Sequence, residues 1–169
     1  MAGILKVDKY QDFNGNDIMT SDGSGNITIN AAALKMTPAF HAYDSGQDLP
    51  DNTWTKINLV STKYNVGSGW DTSTSKFTVP SGEAGTYVFY GQHRIENDTG
   101  YIYSKLYKNG SADNTVVSQN TAADYNSVHI LNTFDLAVGD YIEYYAYNNV
   151  GNTNGITTIN FIGYKLIGV

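Results

Sequence analysis

Tyr141-Ile142-Glu143-Tyr144-Tyr145-Ala146-Tyr147 decides the fold class. Ile142, Tyr144 and Ala146 alternate with Tyr141, Glu143, Tyr145 and Tyr147, and a period of two places one set on each face of a strand. Moving outward, the same grammar recurs along most of the chain. Strands are predicted near Ala39–Tyr43, Thr55–Ser61, Ser75–Val79, Gly85–Ile95, Tyr101–Lys108, Thr115–Ser118, Ser127–Leu136, Tyr141–Asn148 and Thr157–Ile167. Asn109-Gly110 marks a tight hairpin, because both residues accept positive φ. Pro80 suits a strand end, where its missing N–H disturbs no ladder. The last strand, Ile159–Ile167, is apolar on both faces and is expected to meet a neighbouring subunit.

Composition agrees. The 169 residues suit one domain with a short appendage, and 41% hydrophobic content is enough to build a core. Charged residues make up only 15%, while Gly (17), Asn (18), Thr (17) and Ser (12) are abundant. Those residues favour turns and strands over helix interiors. A net charge of −6 argues against a surface that tracks nucleic-acid phosphates. Without cysteine there is no disulfide framework and no thiolate chemistry. No apolar stretch approaches the ~20 residues of a membrane span, and Met1–Tyr10 lacks the apolar run of a secretory signal. No membrane insertion is expected.

Residues 1–36 read differently from the rest. Asp12-Phe13-Asn14-Gly15-Asn16 and Asp22-Gly23-Ser24-Gly25-Asn26 are turn-dense, with short apolar pieces around them. Ala31–Met36 is the one helix-friendly stretch. Such a segment cannot bury its apolar residues alone, so it is expected to attach the domain to something else.

Several stretches of residues 37–169 together resemble the C1q domain. Lys76-Phe77-Thr78-Val79-Pro80 followed by Gly85-Thr86-Tyr87-Val88-Phe89 is similar to that family's "KFTxP…GxYxF" run. Leu106–Gly110 resembles its "LxKNG" hairpin, Leu136–Ile142 its "LxxGDxV" turn, and Phe161–Tyr164 its closing strand. The resemblance implies an all-β, ten-strand jelly-roll sandwich of the C1q/TNF type that assembles as a homotrimer. Phe40, Phe161 and Tyr164 are the residues expected at the trimer interface. Collagen-like repeats are absent, and the stretch from Gly15 to Asn30 instead resembles segments of phage tail-fibre and other virion proteins. Residues 1–36 would then join other virion or fibre proteins, and the expected location is the virion, with an extracellular protein as the alternative.

Alternating strands put successive loops at opposite ends of a jelly roll. The turns at 80–85, 109–114 and 137–140 are short. Those at 44–54, 62–74, 96–100, 119–126 and 148–156 are longer and polar, and loops are where binding residues concentrate. The long-loop end is therefore the expected contact surface for a host-surface glycan or protein, the alternative being a purely structural trimeric component whose loops hold no ligand. Its candidates are Trp70 beside Asp71, Asn97 with Asp98, Asp124 beside Tyr125, and Asn149 with Asn152. Flat rings cover sugar C–H groups, and amides and carboxylates bond hydroxyls. The tyrosines of 101–107 and 141–147 carry two readings: an aromatic binding face, or cross-strand partners and trimer contacts.

Catalysis is not expected. There is no Gly-x-Ser-x-Gly elbow and no nucleotide loop, and the three glutamates are not paired with a second acid. His41, His93 and His129 lack metal-ligand spacing, and His93 is expected to face the interior or an interface. No cofactor is implied. The Asp12 stretch is not an EF-hand, with Asp17 where that loop needs glycine and Gly23 where it needs glutamate, but the Asp- and Asn-rich loops carry oxygen donors, and calcium shared between subunits, as in some relatives of the C1q type, is the alternative to no cofactor.

Overall fold

A computed structural model describes residues 7–29, 36–95, 100–122 and 125–166. The chain divides into two compact units at the boundary between Lys35 and Met36. The helix-friendly stretch 31–36 falls outside the described residues, except for Met36.

The first unit is a three-stranded antiparallel meander: β1 (Lys9–Gln11), β2 (Asp17–Ser21) and β3 (Ile27–Ile29). Its two connections are the same motif, ten residues apart. Asp12 Oδ1 accepts the N–H groups of Asn14 and Asn16, and its Oδ2 accepts the Asn16 amide. Asp22 repeats this with Ser24 and Asn26. Their carboxylates are thus spent on turn geometry, which also holds both pKa values below the usual range.

The second unit is a two-layer sandwich. One layer is a five-stranded sheet formed by β4 (Ala39–Leu49), β6 (Ser61–Val66), β9 (Gly85–Ile95), β12 (Ser127–Leu136) and β14 (Asn154–Lys165), in the order β12-β9-β14-β4-β6. The other contains β7 (Trp70–Asp71), β8 (Lys76–Thr78), β10 (Gly100–Lys108), β11 (Ser111–Ala122) and β13 (Tyr141–Asn149), in the order β11-β10-β13-β8-β7, with β5 (Thr55–Lys56) also paired to β13. β9 and β12 run over the predicted residues. Asn109 and Gly110 take φ of 53° and 76° and close the β10–β11 hairpin, as their chemistry requires. Asn109 also ties two turns together, donating to Asp140 Oδ1 and accepting the N–H of Tyr141.

Between the layers lies an aromatic core built on Phe40, Phe77, Tyr87, Phe89, Tyr144 and Phe161. Phe161 stacks 5.4 Å from Tyr144, and Phe40 stacks 4.7 Å from Trp70. The core changes three expectations. Phe40 and Phe161 are wholly buried within the single chain, so they hold the sandwich together and are not interface residues. Trp70 is only 4% exposed and packs against Phe40 and Phe161 in the core, so it is not a ligand platform. A two-residue strand explains the last result, because β7 turns Trp70 inward opposite Phe77.

His93 lies inside as well, at 0% exposure. Its Nδ1 meets the Tyr144 hydroxyl at 2.8 Å, and that hydroxyl also meets Ser104 Oγ at 2.9 Å. Nε2 of His93 is buried with no hydrogen-bond partner. Burial, with a smaller contribution from His129, pulls the His93 pKa down to about 3.

Candidate functional site

Three surfaces remain once the core is assigned. The first is the outer face of the five-stranded sheet. Pairing registers align one residue from each strand in a row: Tyr64, His41, Ile162, Tyr90 and Leu131. A parallel row carries Val66, Ala39, Tyr164, Val88 and Thr133. Leu131 is 61% exposed, Val66 49% and Tyr64 42%. Apolar and aromatic side chains predominate in both rows. Two polar pairs lie within this face: His41 Nε2 with Asn160 Oδ1 at 2.9 Å, and the Tyr90 hydroxyl with His129 Nδ1 at 2.6 Å. Of the three residues expected to meet a neighbour, Tyr164 alone stands on this face. Ile162 and Tyr90 were missed, although period-two counting from Tyr164 reaches Ile162.

The second surface is the end where β4 finishes and β14 begins. Asp51 Oδ1 accepts the N–H groups of Val150 (3.1 Å) and Gly151 (2.9 Å). Buried Asn148 donates to the carbonyls of Leu49 and Asn152. The 50–54 and 150–153 connections are therefore locked to each other. Tyr125 stands 62% exposed at this end, with the Arg94 guanidinium 5.1 Å from its ring centre. Asn149 and Asn152 are exposed. Asn97, Asp98 and Asp124 lie outside the described residues.

Trp70 and Asp71 do not belong to this end. Val66 pairs with Ala39, the first residue of β4, so the chain from 67 to 70 turns at the opposite end. Asp71 accepts hydrogen bonds from Ser73 and Thr74, which lower its pKa, and it closes a local turn. The expected long loops are also shorter than predicted, because β4, β6 and β11 extend into them.

The third surface is the outer face of the six-stranded sheet, which carries Tyr101, Tyr103 and Tyr107 of β10 and Tyr141, Tyr145 and Tyr147 of β13. Tyr107 and Tyr145 stack at 3.8 Å, and partial burial raises both pKa values. They fit the cross-strand reading. Nearer the locked end the packing opens. Trp54, Tyr103, Tyr147 and Asn149 line a cleft of about 250 Å³. Tyr147 lies 5.3 Å from Trp54 and 5.5 Å from Tyr103, and its hydroxyl donates to Asn52 Oδ1. Lys105 Nζ sits 4.6 Å from the Trp54 ring centre. Trp54 is the residue that sequence reasoning overlooked; its place immediately before β5, which pairs with β13, sets it beside Tyr147.

Among the described residues, no group of three or more His, Asp or Glu side chains could hold a metal ion. No described helix is long and apolar enough to cross a membrane.

Neither a family model nor a curated relative matches the sequence. Solved structures do match. The globular domain of zebrafish complement 1qA protein superposes with a TM-score of 0.59 at 14% identity, over 76% of this chain and 97% of that one. Murine APRIL at pH 8.5 gives 0.58 at 17% identity, over 76% and 98%. The PRD1 vertex protein P5 gives 0.64 at 20% identity, over 78% and 99%. At these identities the likeness establishes the fold, an all-β jelly roll of the C1q/TNF type.

Proposed function

We propose that this chain is a non-catalytic recognition module of a virus particle that works as a homotrimer. The observation that carries the reading is the outer face of the five-stranded sheet, where Ile162, Tyr90, Tyr164 and Leu131 form a continuous apolar surface. An apolar sheet face without cover is an association surface, and closed rotational symmetry lets identical faces cover one another. Likeness to the PRD1 vertex protein and to a complement 1qA globular domain supports a particle-borne or extracellular recognition role over an enzymatic one.

In this reading residues 1–36 attach the module to other virion or fibre proteins. The locked end, with Tyr125, Asn149 and Asn152, meets a host-surface glycan or protein. Three copies would repeat a weak contact, and matched multivalency adds ~10²–10⁴ in avidity.

Light scattering tests the assembly. A mass of about 55 kDa, three chains of 18.5 kDa, is expected. A stable monomer would remove the basis of the proposal.

A further inference from the structure

We propose that the cleft between Trp54, Tyr103, Tyr147 and Asn149 is a binding site for a neutral saccharide unit. Three aromatic rings, packed on one another at 5.3–6.4 Å, line an open cleft of about 250 Å³. That is below the ~300–1,000 Å³ typical of sites for drug-sized ligands and suits a compact guest. A sugar ring offers flat patches of C–H groups edged by hydroxyls, and such a guest needs apolar walls with neutral hydrogen-bonding groups at the rim.

The rim supplies those groups. The Asn149 carboxamide, the Tyr103 hydroxyl and the Trp54 indole N–H are the hydrogen-bonding groups that these lining residues bring, beside the engaged Tyr147 hydroxyl. The first can both donate and accept, the second likewise, and the third donates. The other polar atoms nearby are already engaged. Tyr147 donates to Asn52, which fixes its ring, and Lys105 donates to Asn114 Oδ1 while covering the Trp54 indole. Among the described lining residues there is no carboxylate. The chain's net charge of −6 further disfavours an acidic guest.

The site also survives assembly. It lies on the six-stranded sheet, the layer opposite the apolar face assigned to the trimer seam. It stands at the end of that sheet where β13 finishes, beside the locked loops. This inference rests on the reading of the chain as a recognition module and names the chemistry that the module recognises.

The two tryptophans make the test direct, since Trp70 is sealed in the core and Trp54 lines the cleft. The full-length protein is titrated with N-acetylglucosamine trimer, maltotriose and galactobiose as neutral probes, with galacturonic acid trimer as the acidic probe and a proline- and tyrosine-rich decapeptide as the peptide probe. A saturable change in tryptophan emission with a neutral probe is expected. It should persist in Trp70→Phe and vanish in Trp54→Phe. Asn149→Ala, which leaves the rings in place, should weaken binding roughly tenfold by calorimetry. No response to any neutral probe, or a response to the acidic or peptide probe alone, would overturn the proposal. Whole-cell binding separates the two readings. Trimers that bind cells but give no Trp54 response would sink the saccharide cleft and leave the recognition module. Trimers that bind the neutral probe but no cell surface would sink the recognition module and leave the cleft.

Discussion

His93 Nδ1 and the Tyr144 hydroxyl lie 2.8 Å apart in the middle of the sandwich, while the other imidazole nitrogen has no partner. A proton added there would carry a charge into a site sealed from solvent. The two pKa values, about 3 in the folded chain and 6.5 for a free imidazole, set the sign of the effect. Below pH 6.5 the unfolded chain takes up the proton first, so stability falls as pH drops, and the loss continues to about pH 3. The slope approaches ~1.4 kcal/mol per pH unit. The carboxylates with lowered pKa values, such as Asp71 and Asp140, lose their contribution only nearer pH 4 and below. Urea midpoints between about pH 4.5 and 7 therefore separate this effect from that of the carboxylates, and His93→Gln should flatten the dependence in that window.

Adjacent residues of the last strand should fail in different ways. Ile162→Asp places a carboxylate on the outer face and should yield a folded monomer by light scattering and circular dichroism. Phe161→Asp places it among Tyr144, Phe40 and Phe89 and should unfold the chain. Phe161→Ala should cost ~3–5 kcal/mol by chemical denaturation. If Ile162→Asp remained a trimer, the seam would lie elsewhere.

Gly163 is held to glycine by the core rather than by its backbone angles. A Cβ there would come within 2.5 Å of the Phe40 ring and 2.7 Å of the Phe89 ring. Gly163→Ala should destabilise by ~1–3 kcal/mol, because neither packed ring has room to retreat. A denaturation midpoint equal to that of the parent would show that the core can yield.

Asn109 serves both as a positive-φ turn residue and as a clasp between hairpins. Asn109→Gly keeps the turn and loses the side-chain bonds to Asp140 Oδ1 and the Tyr141 N–H, whereas Asn109→Ala loses both the turn preference and those bonds. The expected order of thermal stability is parent, then Gly, then Ala. The first step should be about 1 kcal/mol.

Much of this architecture is written in local pattern. The alternation of Tyr141–Tyr147, the Asn109-Gly110 hairpin and the bounds of β9 and β12 are short-range properties, and period two decides them without reference to partners. The candidate site was legible only in part. Tyr125, Asn149 and Asn152 stand at the expected end, and Tyr164 faces outward as a seam residue must. Trp70 and Asp71 were misplaced because β6, unrecognised in Ser61–Val66, reverses the chain once more and sends residues 67–71 to the opposite end. The matching Asp12 and Asp22 turns could have been found as a repeat, since Asp and Asn recur at the same spacing in both.

Backbone stereochemistry acting over a few residues is enough to make the larger unit β throughout, to close its tightest hairpin and to alternate its strand faces. Local pattern does not say which face of β14 looks inward, because Phe161 and Ile162 are equally apolar and cross-sheet packing alone tells them apart. The same holds for the two tryptophans. Trp70 is buried against Phe40, and Trp54 meets Tyr147 and Tyr103 across strands that lie far apart in the chain. Register between distant strands, a property of the assembled sandwich, makes one tryptophan core and sets the other at a cleft.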